Sequence, residues 1–381
     1  MERDFRNRLS REWSLEGPPS LAYRLRLDLA LMSMLLLLCM AGLLVLYSAS
    51  SKNMDIVTRQ VLSISAGFAA MLLIARVPVR YLQWLSPLIY TGGLALLLAV
   101  LVTGHGAKGA QRWIALPGFR FQPSEIMKLV MPLMVAAWLC PKTLPLKWSD
   151  IIVSLGIIVL PTVLIARQPD LGTALLVAVS GFFVLLLAGL GWRLILGALL
   201  MALPSAWAMW NFFMRDYQKQ RVLTFLSPET DPWGAGWNII QSRIAIGSGG
   251  IDGKGWLMGT QSHLDFLPES HTDFIIAVLA EEFGLIGILV LLVIYGMIIG
   301  RGIYIALSAQ NRFSGLIAGS IILTFFVYIF VNIGMVAGLL PVVGVPLPLI
   351  SRGGTSVVTL LLGFGILMSV HNARDSRIRL E

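Results

Sequence analysis

Apolar residues run through this chain in long, nearly unbroken blocks, with polar residues gathered in the gaps between them. Neither the alternation of a half-buried strand nor the spacing of a one-faced surface helix dominates. Ten blocks stand near residues 29–48, 60–75, 83–103, 126–140, 151–166, 171–191, 194–213, 283–300, 313–340 and 353–370. A membrane span needs about 17–25 apolar residues, so the shorter blocks must borrow flanking residues. The fourth fits least well, because it holds Pro132 and starts beside Glu125 and Lys128. The pattern predicts an all-α integral membrane protein of about ten transmembrane helices over 29–371. An Arg-rich tail, 1–28, precedes them and a short tail, 372–381, follows. A long polar run, 214–282, separates spans seven and eight.

Composition supports the pattern. Hydrophobic residues make up 57% of the 381 and charged residues only 13%, with a mean hydropathy of +0.80. A soluble domain carries about 25% charged residues. The net charge of +9 does not argue for nucleic acid, because the basic residues sit in tails and short loops, where they orient a membrane protein. The N-terminal tail, Arg76, Arg80, Lys142, Lys147, Arg193, Arg301, Arg312 and the C-terminal arginines fall on one side. Short loops on the other side carry fewer. The positive-inside rule therefore puts both termini in the cytoplasm and the long run 214–282 outside. Cys39 and Cys140 lie in or at the end of apolar blocks and imply no disulfide framework. The four histidines have no metal-ligand spacing. The tail of about 28 residues before the first block, with no small-residue cleavage site, does not read as a cleaved signal.

This topology brings the unusual loops to one face. They are 108–113 with 121–125, then 167–173, then 346–355, and the long run itself. The piece Gly236–Ile246 has apolar residues at helical spacing and predicts an amphipathic helix on the membrane surface. The glycines at 247, 249, 250, 253 and 255 form a turn region that lacks a Walker Lys-Ser/Thr pair, which argues against a nucleotide site. Seven cations gather here: Lys108, Arg112, Lys128, Arg167, Arg221, Arg243 and Arg352. Cations on the translocated side run against the topology bias. A bound pyrophosphate accounts for them; lipid-phosphate anchoring is the alternative, and for Arg112 and Arg243 the two readings are balanced. Glu125 and Lys128, three apart on one helical face, read first as a paired brace. Asp170 reads as an N-cap of the sixth span, Asn332 as a helix–helix hydrogen bond, and Glu281 with Glu282 as the cap of a half-helix over 274–282. Pro346, Pro348, Gly353 and Gly354 around Ser351 offer a stiff wall at the head of the last helix, where an anion is favoured.

Three acids, Asp265, Glu269 and Asp273, stand within nine positions at the end of the long run. Asp273 meets the apolar segment Phe274-Ile-Ile-Ala-Val-Leu. A carboxylate at such a boundary is partly shielded from water, which raises its pKa and its basicity and suits a general base. The competing reading is structural: Thr272 or Asp273 starts a helix as its N-cap.

Taken together, the runs Lys-Gly-Ala-Gln-Arg-Trp (108–113), Phe-Gln-Pro-Ser-Glu (121–125), Gln-Pro-Asp-Leu-Gly-Thr (168–173), Phe-Leu-Pro-Glu-Ser-His-Thr-Asp-Phe (266–274) and Gly-Val-Pro-Leu-Pro-Leu-Ile-Ser-Arg-Gly-Gly (344–354) resemble the SEDS family of bacterial cell-wall polymerases. The likeness runs from about Leu29 to Met368. Gly-Lys-Gly-Trp-Leu-Met-Gly-Thr-Gln (253–261) looks like an elongation-type member, with the division type as runner-up. The resemblance implies a peptidoglycan glycosyltransferase of the bacterial cytoplasmic membrane that joins lipid II into glycan strands on the outer face. Its implied partners are a class B penicillin-binding protein that crosslinks those strands and other membrane proteins of the elongation complex. It puts the family's catalytic acid at Asp273. Lys108, Arg112, Lys128, Arg221, Arg243, Ser351 and Arg352 are then candidate substrate contacts, and Glu125, Asp170, Glu269 and His271 supporting residues. Cations, or a divalent ion such as magnesium or manganese, would hold the leaving pyrophosphate. Position 352 departs from the family, which usually has Tyr there.

Two other classes compete. A lipid II flippase would use many spans and Pro/Gly-broken helices, but should carry its charges along a path through the membrane. Here they cluster towards one face. A scaffold without chemistry leaves the acid and the cations unexplained.

Overall fold

The structure is a computed structural model that describes residues 27–103, 105–107, 110–116, 119–214, 216–227, 229, 235–263 and 270–378. Each of the ten apolar blocks forms a helix. In chain order they are α1 (Leu29–Ala49), α2 (Met54–Ala75), α3 (Val79–Thr103), α4 (Pro123–Leu139), α5 (Trp148–Arg167), α6 (Leu171–Leu187) and α7 (Trp192–Ala208). After α8 (Asp216–Leu226), α9 (Ala235–Gly249) and α10 (Thr260–His263) of the long run come α11 (Ile275–Leu307), α12 (Arg312–Val336) and α13 (Gly354–Ile378). Eight of the ten are long and apolar enough to cross a membrane, α7 together with the π-helical turn Met209–Phe213 that continues it; α6 and α4, at 17 residues each, are shorter. The chain is thus a multi-pass, essentially all-α membrane protein. The last helix continues to Ile378, through most of the segment expected as a tail.

One element departs from the all-α expectation. Between α3 and α4 the chain forms a small antiparallel sheet in the order β1 (His105–Ala107), β2 (Ala110–Leu116) and β3 (Phe119–Phe121). Two of these strands have only three residues, too short for a period-two signal to show in the sequence.

Local rules explain the helix ends. Asp28 caps α1 by accepting from the Leu31 N–H, Asn53 caps α2 through the N–H groups of Asp55 and Ile56, and Asp170 caps α6 through that of Thr173. The cap expected at Asp170 is present. Small residues let the helices approach closely, as packing between apolar helices requires. Along α2 and α13, which pack extensively, a Cβ at Gly67 would lie 2.6 Å from a methyl of Leu361. One at Gly365 would lie 2.7 Å from the Met71 carbonyl.

α11 is two helices joined at a kink. Gly284 takes φ 62 and ψ −159, a conformation that only glycine adopts readily. The piece before it, 275–283, is the half-helix expected from Glu281 and Glu282. All its residues from Ile275 to Glu282 are buried, so it lies inside the protein rather than at an interface. The glycine-rich turn after α9 fills the break. The N–H groups of Lys254 and Gly255 donate to the Glu281 and Glu282 carbonyls, both at 2.9 Å, and the Leu285 N–H donates to the Gly250 carbonyl at 3.0 Å. Contact this close excludes side chains: a Cβ at Gly249 would lie 2.0 Å from the Ala280 oxygen, and one at Gly253 2.2 Å from that of Glu282. α9 itself is helical as predicted, but it buries Ile239, Gln241, Ser242 and Ala245. It packs on α11 and does not leave its apolar face free.

Candidate functional site

Asp273 stands in a turn, 270–274, immediately before the half-helix. Phe274 occupies the cap position and offers no side-chain bond, so neither Thr272 nor Asp273 is the N-cap. The competing structural reading of Asp273 therefore does not describe its place in the fold. Its side chain is part-buried, and its Oδ2 lies against Gly344, where an added Cβ would be 3.4 Å away. Gly344 has φ +75, so the absence of a side chain serves both its backbone and its neighbour. The N-terminal end of a helix favours negative charge near its unpaired N–H groups.

The turn rests on the segment 344–354, which also lacks regular structure. Its main-chain groups are paired from several sides. Asn332, fully buried on α12, donates from Nδ2 to the carbonyls of Asp273 at 2.9 Å and Val345 at 2.7 Å. The Ser351 hydroxyl donates to the Thr272 carbonyl at 2.5 Å and accepts from the Leu347 N–H at 2.8 Å. The Arg352 N–H donates to the His271 carbonyl at 3.0 Å. From α2, buried Gln60 donates to the Ser351 carbonyl and accepts from the Gly353 N–H, at 3.2 and 3.1 Å. From α11, the Tyr295 hydroxyl donates to the Pro348 carbonyl at 2.7 Å.

A second group of polar residues lies where α4, α12 and α13 meet. Lys128 Nζ and Glu125 Oε1 form an ion pair at 2.6 Å, each side chain 8% exposed. The Thr359 hydroxyl lies 3.4 Å from the other Glu125 oxygen, and the Lys128 ammonium sits 4.8 Å from the centre of the Tyr328 ring. These four residues, with Thr324 and Phe364 among others, line a cleft with an empty volume of about 420 Å³. Tyr328 joins the two regions, because it also packs with Val345 and Leu176. Gln122 Nε2 donates to Asp170 Oδ2 at 2.8 Å, which ties the start of α4 to the start of α6.

The candidate residues thus separate by surroundings. Asp273, His271, Ser351 and Arg352 come together around the turn, and Glu125 with Lys128 in the cleft. The Ser351 hydroxyl is engaged on both sides within the protein. Arg243 donates to the Gly338 carbonyl at 2.9 Å and braces α9 against the end of α12. Arg352 is part-exposed and has no ion-pair partner among the described residues. Lys108 and Glu269 lie outside the described residues, as do Asp265 and the side chains of Arg112 and Arg221. No three His, Cys, Asp or Glu residues gather as a metal cage among the described residues. The sequence reading missed Gln60 and Tyr295. Gln60 did give a signal, as a lone amide at the start of an apolar block. Asn332, expected as a helix–helix hydrogen bond, instead bonds the irregular segments at Asp273 and Val345.

The family described as cell cycle protein, FtsW, RodA and SpoVE, matches residues 29–376. The chain belongs to it. This is the SEDS family that the loop motifs resemble. The peptidoglycan glycosyltransferase MrdB of Escherichia coli K12 is 51% identical over 351 residues, covering 92% of this chain and 95% of that protein. A probable peptidoglycan glycosyltransferase FtsW of Geobacter metallireducens is 38% identical, covering 91% and 94%. Among solved structures, one describing the coordination of polymerization and crosslinking by a peptidoglycan synthase complex matches with a TM-score of 0.81 at 31% identity. It covers 91% of this chain and 98% of that one. The rod shape determining protein RodA of Thermus thermophilus matches with a TM-score of 0.70 at 28% identity, covering 94% and 99%. The higher identity to MrdB than to FtsW places this SEDS protein with the RodA type.

The bed under Asp273 predicts a stability effect. Asn332→Leu keeps the volume and removes both donor bonds, leaving two buried carbonyls short of a partner. The expected cost is about 1–3 kcal/mol, read as a lower midpoint of thermal unfolding in detergent. A midpoint equal to the parent's would show that the bed does not depend on Asn332.

Proposed function

We propose that this SEDS protein is a peptidoglycan glycosyltransferase that polymerises lipid II during cell elongation, with Asp273 as general base. The observation that carries the reading is the placement of Asp273. It is a part-buried carboxylate in a turn whose backbone is fixed by buried side chains, at the head of a half-helix and next to the part-exposed Arg352. A base must be held within hydrogen-bond reach of the proton it takes, and a backbone braced on both sides of the residue supplies that constancy.

In the proposed reaction the Asp273 carboxylate takes the proton from a sugar hydroxyl of the acceptor. The hydroxyl oxygen forms a bond to the anomeric carbon of the donor as the bond from that carbon to the lipid-linked pyrophosphate breaks. The electron pair leaves with the pyrophosphate, and the anomeric centre inverts; no second, nucleophilic carboxylate is needed. Arg352, and Lys108, Arg112 and Arg221 if they reach the same face, offset the charge of the leaving group. Glu125, Lys128 and Asp170 support the bundle beside the site. A divalent ion such as magnesium or manganese, if bound, would add charge compensation at the leaving pyrophosphate. A class B penicillin-binding protein is the proposed partner, with other elongation-complex proteins; the likeness to a peptidoglycan synthase complex supports it.

One observation favours the flippase alternative: an ion pair buried in a cleft between helices of the bundle. The Asp273 test separates the two readings, since lipid II supplied in detergent needs no flipping.

The proposed orientation has ten spans, both termini cytoplasmic and 214–282 outside. A cysteine replacing Ser262 should then react with an impermeant thiol reagent in intact spheroplasts, and one replacing Ser376 should not. The reverse pattern would invert the orientation. Arg352→Tyr, which restores the usual family residue, should leave folding intact and raise the lipid II concentration for half-maximal rate. An unchanged concentration dependence would remove Arg352 from the substrate. Asp273→Asn should express and bind its partner normally while polymerisation of purified lipid II falls about 10²-fold or more, with Glu269→Gln and Asp265→Asn costing less. Glycan strands made at the parent rate by the Asp273→Asn protein would exclude Asp273 as the base.

A further inference from the structure

The glycine-rich turn and the two acids at the kink have no place in the reaction above, yet they contain a second organised polar cluster. Glu281 is fully buried on the half-helix, and its carboxylate collects four donor groups. They are the Thr260 N–H at 2.8 Å, the Thr260 hydroxyl at 2.9 Å, the Gln261 N–H at 3.1 Å and the Lys254 ammonium at 2.7 Å. Lys254 in turn donates to the Thr260 hydroxyl at 2.9 Å. Glu282, the next residue, accepts from the Ser48 hydroxyl of α1.

All four donors come from one stretch, 254–261, which leads into the segment ending at Asp273. The far end of that segment is also held, by the Ser270 hydroxyl donating to the Ala49 carbonyl at 3.3 Å. Asp273 lies in the turn just before the half-helix, and Glu281 stands six residues beyond its first residue, Ile275, about 9 Å along its axis at 1.5 Å per residue. One short rigid rod therefore carries Asp273 at its head and the clamp for the preceding segment near its foot. Burying a carboxylate is costly unless it is fully paired. All four donors converge on one oxygen, Oε1, and the Gln261 N–H also lies 3.2 Å from Oε2; with the Lys254 ammonium among them, the set is matched to an anion.

We infer that Glu281 is a positioning residue: its carboxylate fixes the segment 254–263 relative to Asp273, and so sets how the chain before the base lies over the acceptor sugar. This rests on the reading of Asp273 as the base. Glu281→Gln preserves shape but removes the negative charge that pairs with the Lys254 ammonium and strengthens every bond to Oε1. The test uses the full-length protein with its partner on purified lipid II, together with a nitroxide label on a cysteine replacing Ser262. Loss of orientation, rather than loss of binding, should lower the rate at saturating lipid II by about tenfold or more. The half-saturating concentration should stay within about twofold, with the label more mobile and the melting midpoint close to the parent's. Thr260→Val and Lys254→Met, which each remove one donor, should show the same pattern with smaller losses. An unchanged rate, an unchanged label, or a loss of activity matched by a loss of melting midpoint in all three variants would overturn the inference. Asp273→Asn in the same label assay separates the two ideas. If that variant still polymerises, the base assignment fails, while the label still reports whether Glu281 holds the segment.

Discussion

The turn that presents Asp273 has no secondary structure to pair its main chain, and neither does the segment beneath it. Buried carbonyls and N–H groups left unpaired are expensive, and where a chain crosses a membrane there is little water to relieve them. The structure meets this constraint with side chains from distant elements. Asn332, Ser351, Gln60 and Tyr295 each bond a main-chain group of 270–274 or 344–354. The packing of α2 and α13 brings Gln60 to the last loop, and the course of α11 and α12 brings Tyr295 and Asn332 to its other side. Irregular backbone at this place is thus possible only because the helices around it are packed as they are.

The break in α11 obeys the same rule. At Gly284 the helical ladder is interrupted, and the freed carbonyls of Glu281 and Glu282 are taken up by the N–H groups of Lys254 and Gly255. Glycines at 249 and 253 allow the two backbones to approach that closely. An interrupted helix gains a second N-terminus or C-terminus in the interior of the bundle, which is where transporters and channels also place their polar sites. Here the short piece before the break is held at both ends.

Much of the fold was legible in the sequence because burial in an apolar medium demands long uninterrupted blocks, and each block is a helix. The half-helix was legible from Glu281 and Glu282 just before such a block, and the cap at Asp170 from its place before another. The strands of 105–121 were not: two have only three residues, and Ala110–Leu116 does not alternate apolar and polar positions. At the site, the boundary position marked Asp273. Ser351 and Arg243 read as substrate contacts because a hydroxyl and a guanidinium near a polar loop serve a phosphate or a main-chain carbonyl equally well. Only the packing shows that both face carbonyls, of Thr272 and Gly338. Gln60 lies 291 residues from its partner Ser351, a pairing that no spacing rule connects. The role of the Gly-rich turn in filling the α11 break depends on a contact with residues about 30 positions away, beyond the reach of a local motif.

The side chains described above as bonding the main chain of 270–274 and 344–353 are amides, hydroxyls and a phenol, all uncharged. A charged brace would fix the position of the Asp273 backbone and also bias the ionisation of the carboxylate beside it, since opposite charges within a few ångströms favour the anion and weaken it as a base. Neutral donors aimed at main-chain carbonyls fix position with far less effect on charge. The charged pair that the half-helix does use, Lys254 with Glu281, stands about 9 Å along the rod from its first residue, Ile275, where its field at Asp273 is weaker. Lys128 likewise faces Glu125 at 2.6 Å, so the two charges largely cancel at a distance. For the general base proposed at Asp273, neutral hydrogen bonds to the backbone would set its place without themselves fixing its charge.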